Sequence, residues 1–116
     1  MRELAHVRER YLRDDVPVRL GGLAANLSRI KSFAVHDAGR EAVEYLIDES
    51  KFFIEWTAEA AGSGVAAELV DLQVQLARWQ RNWPDIWINP FQRRSVAEQA
   101  RAWSGRVLEM SGLVGR

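Results

Sequence analysis

Four stretches of this chain repeat one apolar stepping, and that stepping limits the fold more than any other feature. Leu20, Leu23, Leu27, Ile30 and Ala34 step 3-4-3-4. Val43, Ile47, Ser50, Ile54, Thr57 and Ala61 form a second seam, widened by Leu46 and Phe53. Val65, Leu69, Leu72, Leu76, Trp79 and Trp83 form a third, and Val96, Ala100, Trp103, Val107, Met110 and Val114 a fourth. A mean spacing near 3.5 puts each set on one face of a helix, and four such faces can bury one another. No stretch alternates long enough for a strand. The reading is all-α: an antiparallel up-down-up-down four-helix bundle.

The residues between the seams place the breaks. Asp14 and Asp15 precede Val16-Pro17, and proline is tolerated in the first turn of a helix. His36-Asp37 interrupts the first long helix, with Asp37 as the N-cap of the next. Gly62-Ser63-Gly64 separates the second and third, with Ser63 capping, and Pro84 stops the third. Ser95-Val96-Ala97-Glu98 reads as a capping box for the fourth. The predicted helices run at about 16–35, 38–61, 64–83 and 94–113, joined by one long connection at 84–92. Leu4, Val7 and Tyr11 add a short amphipathic arm at 2–13. Residues 1–116 then form a single helical domain.

The tryptophans at 79, 83 and 87 suggest an aromatic cofactor box or a closed core. Trp79 and Trp83 share the seam of Leu69, Leu72 and Leu76, so the core is the better reading. Burying each removes about 150–250 Å² from water. Trp103 would face them across the bundle, with Trp87 and Phe91 folded over that end. A cavity between these rings would instead suit an apolar ligand or pigment.

The second helix carries more apolar surface than a bundle needs. At about 100° per residue, Tyr45, Phe52 and Trp56 cluster nearly opposite Val43, Ser50, Ile54 and Ala61. Val70 and Val74, with Ala67 and Ala77, lie away from the seam of the third helix in the same manner. Uncovered patches of this kind mark interaction sites. Three covers are open: the N-terminal arm through Leu4, Val7 and Tyr11, a second copy in a twofold dimer, or a different protein. Glu41, Glu44, Asp48, Glu55 and Glu59 flank the aromatic stripe, as a solvated edge or as a rim for Arg2, Arg8, Arg10 and Arg13.

Charge is balanced overall, with 16 basic and 16 acidic residues, which argues against a dedicated nucleic-acid binder. It is unevenly spread: residues 41–75 hold one lysine against eight acids, a local charge of −7. The chain has no cysteine, so disulfides and thiolate chemistry are excluded. It has no apolar run near the roughly 20 residues of a membrane span and no signal-peptide pattern at its start. These features suit a cytoplasmic protein.

Catalytic motifs are sparse. There is no phosphate-cradling glycine loop and no Gly-x-Ser-x-Gly elbow. Gly21-Gly22 instead permits close helix approach. Glu3-Leu4-Ala5-His6 is a lone Glu-x-x-His string where di-metal bundles need two, so neither metal nor cofactor is expected. Arg29 and His36, with six residues between them, resemble the Arg-x(4–6)-His signature of HEPN ribonucleases, small helical dimers that cleave RNA. That resemblance implies a catalytic Arg29–His36 pair sharing a face of a continued helix. A terminal imidazolium favoured by the helix dipole is the simpler role for His36.

The phrases DDVPVRLGGLAANLSRIKSF, DESKFFIEWTAEAA and RSVAEQARAWSGRVLEMSGL look like a group of small uncharacterised proteins of cyanobacteria. The resemblance implies no activity for any residue. The expectation is a non-enzymatic interaction or structural bundle, a homodimer or an adaptor, presenting Tyr45, Phe52, Trp56, Val70 and Val74.

Overall fold

The computed structural model describes residues 4–113, and every regular element among them is a helix: α1 (Leu4–Arg13), α2 (Val16–Ala34), α3 (Arg40–Thr57), α4 (Ser63–Trp87) and α5 (Pro90–Ser111). None of the five is long and apolar enough to cross a membrane. The residues that begin and end them are only partly those expected.

Helix α2 starts as predicted. Asp15 caps it, its Oδ1 accepting from the Val18 amide at 3.4 Å, and Pro17 sits in the first turn, where no amide partner is needed. It stops at Ala34. The His36 amide then donates to the Phe33 carbonyl and the Gly39 amide to that of His36. This tight turn makes Gly39, not Asp37, the N-cap of α3. A Cβ on Gly39 would stand 2.0 Å from the Phe33 oxygen, so only glycine fits. Asp37 projects into solvent.

Helix α3 ends at Thr57, four residues short of expectation, and Ala58–Ala61 turn back on themselves. Gly62, at φ +88°, is the residue before α4. Ser63 is therefore already helical and its side chain caps nothing.

The largest correction concerns Pro84, which lies inside α4 rather than ending it. Proline in a helix interior costs about 3 kcal/mol through its missing N–H and its clash with the preceding turn. Pro84 and Gln80 both face solvent, so water can satisfy the orphaned Gln80 carbonyl. Trp83 and Ile86 are buried on either side, and Trp87 is half-buried beyond them. Their burial stabilises the last turn by more than the proline costs. The long connection at 84–92 shrinks to Ile88 and Asn89. Asn89 caps α5, its Oδ1 accepting from the amides of Phe91 and Gln92 at 3.0 and 3.1 Å, with Pro90 at the first helical position. Ser95 is in the second turn, where its hydroxyl accepts from Gln99.

The core is the four seams meeting. Leu23, Leu27, Ile30, Val43, Ile47, Leu69, Leu72, Leu76, Ala100 and Val107 are fully buried, and Trp79 and Trp83 nearly so. Helix α2 packs most extensively against α5 and then α3; α3 packs on α4, α4 on α5, and α1 touches α3. Principal extents of 38 × 34 × 21 Å show a body two helices thick but broader than two parallel helices. Trp103 is half-buried and makes no ring contact with Trp79 or Trp83; the rings that meet are Trp83 and Trp87, 5.8 Å apart.

Candidate association surfaces

The aromatic stripe of α3 is covered at one end by its own chain. Tyr11 of α1 stacks on Phe53, ring centroids 4.0 Å apart and planes 11° from parallel, and leans on Trp56 at 5.9 Å. Its hydroxyl donates to the Arg19 carbonyl at 2.8 Å and accepts from Thr57 Oγ1 at 3.2 Å. Burial pushes the phenol up to about 12, against a smaller opposing pull from the Thr57 hydrogen bond. Val7 packs partly against the core, while Leu4 stays exposed. Arg2 and Glu3 lie outside the described residues.

The other end of the stripe is polar. Tyr45 donates to Glu49 Oε2, Asn26 Nδ2 donates to Glu49 Oε1, and Arg29 donates to Asn26 Oδ1. Asn26 is buried, so Glu49 and Arg29 satisfy an amide that would otherwise be costly. A cleft of about 320 Å³ lies between Val7, Arg10, Tyr11, Tyr45, Glu49 and Phe53.

This geometry separates residues that the sequence grouped together. Glu49 and Trp56 tie one side of α3 to α2 and α1. The opposite side meets α4, where Lys51 Nζ donates to Gln80 and Gln73 donates to the Lys51 carbonyl. By helix periodicity the acidic ridge of Glu44, Asp48 and Glu55 runs between them. Tyr45, Phe52 and Trp56 therefore belong to one surface, and Val70 and Val74 to another. Val70 and Val74 are 56% and 46% exposed, on the side of α4 away from the core.

A third exposed feature escaped sequence reading. Ile88 and Phe91, at the α4–α5 elbow, are 77% and 78% exposed. Phe91, expected to fold over the tryptophans, points outward instead, 5.9 Å from the Arg94 guanidinium. Trp87 is sealed by Arg93, whose guanidinium lies 3.8 Å above the ring and donates to the carbonyls of Ala34 and His36. Asn-Pro as a helix start was the available signal. A helix that stops at Pro84 leaves Asn89-Pro90 inside a loop and masks that start.

The HEPN resemblance takes Arg29 and His36 as neighbours on one continued helix. Helix α2 ends two residues before His36, so Arg29 lies on the helix and His36 in the turn that follows it. His36 Nδ1 accepts from the Ala38 amide. Beside Trp79 lies an open cleft of about 160 Å³, below the roughly 300 Å³ of a small-molecule pocket. No three His, Asp or Glu side chains converge among the described residues. A scan against family models and searches of curated proteins and of solved structures returned no match to this chain.

Proposed function

We propose that this protein works by association, as a non-enzymatic helical module that pairs with a second copy of itself. The observation that carries the reading is the apolar exposure of Val70 and Val74 on a helix whose other face is already fully used, continued by Ile88 at its C-cap. A helix in a self-contained bundle needs one apolar stripe. We read α2–α5 as the antiparallel bundle, with α1 strapped across α3. Supporting this, Trp83 near the end of α4 bonds the Arg40 carbonyl at the start of α3. Likewise Arg93 near the start of α5 bonds Ala34 at the end of α2.

Sedimentation equilibrium of the purified chain from micromolar to millimolar concentration tests the reading. The expected mass rises towards twice 13.2 kDa. A mass fixed at one chain across that range overturns it.

A further inference from the structure

Helix α4 carries two seams. The inner one, from Val65 to Trp83, is the core. The outer one steps Ala67, Val70, Val74, Ala77, Arg81 and Pro84, again 3-4-3-4-3, with Ile88 at the C-cap continuing the line, and all seven residues are exposed. It covers about 31 Å at 1.5 Å per residue. A sustained 3.5 spacing is the pattern by which one helix packs along another. Small Ala, Val and Pro side chains allow the two backbones to come close.

Resting on the association reading, we propose that α4 pairs antiparallel with α4 of a second copy across this outer seam. Orientation follows from Arg81, the single charged residue in the stripe. A parallel pair would set it directly against the partner's Arg81, two like charges at one level. An antiparallel pair does not.

Register follows from the flanking charges. Asp71, Arg78 and Asp85 are spaced by seven along one edge of the seam, are exposed, and make no ion pair among the described residues. Three antiparallel registers set seam against seam. Centred near Leu72, Asp71 meets the partner's Asp71. Centred near Trp79, Arg78 meets the partner's Arg78, and Asp71 meets the partner's Asp85. Centred between Gln75 and Leu76, Asp71 meets the partner's Arg78 twice over, and Arg81 lies level with the partner's Asp71. Only the last makes every close pair attractive. It sets Ala67 against the partner's Pro84 and Val74 against the partner's Ala77.

The α3 face is the poorer candidate for a twofold. Tyr11 already covers part of it, and the acidic ridge would meet its own copy. A single α4 seam is narrow beside the ~800 Å² per partner of a standard interface, which fits a weak, reversible pairing.

The chain has no cysteine, which gives a clean crosslinking test. Ala67→Cys and Pro84→Cys chains are prepared separately in reduced form, then oxidised alone and as a mixture. The mixture is expected to give a disulfide joining position 67 of one chain to position 84 of the other, with little self-linking of either variant. Ready self-linking of Ala67→Cys would mean a parallel pair and overturn the proposal. Failure to link in a protein that is dimeric by mass would place the interface elsewhere and overturn this proposal while sparing association. A chain monomeric throughout would sink both. Independently, Asp71→Arg is expected to weaken dimerisation about tenfold and Asp71→Arg with Arg78→Asp to restore it, with helicity unchanged. A double reversal no tighter than the single one counts against the register.

Discussion

The indole N–H of Trp83 donates to the backbone carbonyl of Arg40 at 3.1 Å, tying the late part of α4 to the first turn of α3. Trp83 is 1% exposed, so without this acceptor its indole N–H has little access to water. Trp83→Phe keeps most of the apolar volume and removes the donor, at an expected cost of about 1 kcal/mol. Trp83→Ala also leaves a cavity and should cost about 3–5 kcal/mol. Urea unfolding of the two variants checks this. Equal losses would mean that the hydrogen bond and not the ring joins the helices.

Burial along the four seams was legible because spacing survives any error in helix ends. Leu23, Leu27, Ile30, Leu69, Leu72 and Leu76 are all fully buried. The ends were less legible, since capping depends on where the backbone turns. Gly39 caps α3 because the Phe33 carbonyl leaves no room for a side chain, which is a tertiary fact. Pro84 misled most. Local propensity favours a stop there, and only the burial of Trp83, Ile86 and Trp87 overrides it. A helix that ends at Trp83 has a shorter outer stripe, and Ile88, at the C-cap of the longer α4, continues the line of Val70 and Val74. The covering of Trp56 by Tyr11 was one of three open readings, because periodicity marks an apolar face without saying what lies on it.

Pro84→Ala should stabilise the fold. The variant regains an interior helical N–H and loses a steric clash, together worth up to about 3 kcal/mol. It forfeits about 0.4–1 kcal/mol of proline's restriction of the unfolded chain. A net gain of about 1–2 kcal/mol in chemical denaturation is expected. A loss would show that the proline shapes the turn that seats Trp87.

Two glycine-to-alanine changes should move stability in opposite directions. At Gly39 the new Cβ would stand 2.0 Å from the Phe33 oxygen, so the turn between α2 and α3 must shift. The expected cost is about 3 kcal/mol or more. Gly105 lies in mid-α5, exposed, with nothing within 4 Å of the added carbon. Alanine there should gain up to about 1 kcal/mol from helix propensity alone. Thermal melts of both variants check the pair, and a neutral Gly39→Ala would refute the described turn.

Tyr11 gives α1 a signature at alkaline pH. Its phenol is raised from the ordinary 10.0 to about 12, chiefly by burial. The folded state therefore holds the proton more tightly than the unfolded chain does. Below pH 10 that preference is fully present. Between about pH 10 and 12 the unfolded chain ionises first and stability falls by about 1.4 kcal/mol per pH unit, some 2–3 kcal/mol in all. Other groups titrate in the same window, so the comparison is with Tyr11→Phe, which cannot ionise. At neutral pH that variant should be less stable by about 1–2 kcal/mol, having left the Thr57 hydroxyl and the Arg19 carbonyl without their partner. As pH rises the deficit should close and then reverse. Stability curves that stay parallel from neutral pH to pH 12 would mean that Tyr11 is not buried, and that α1 leaves Phe53 and Trp56 uncovered.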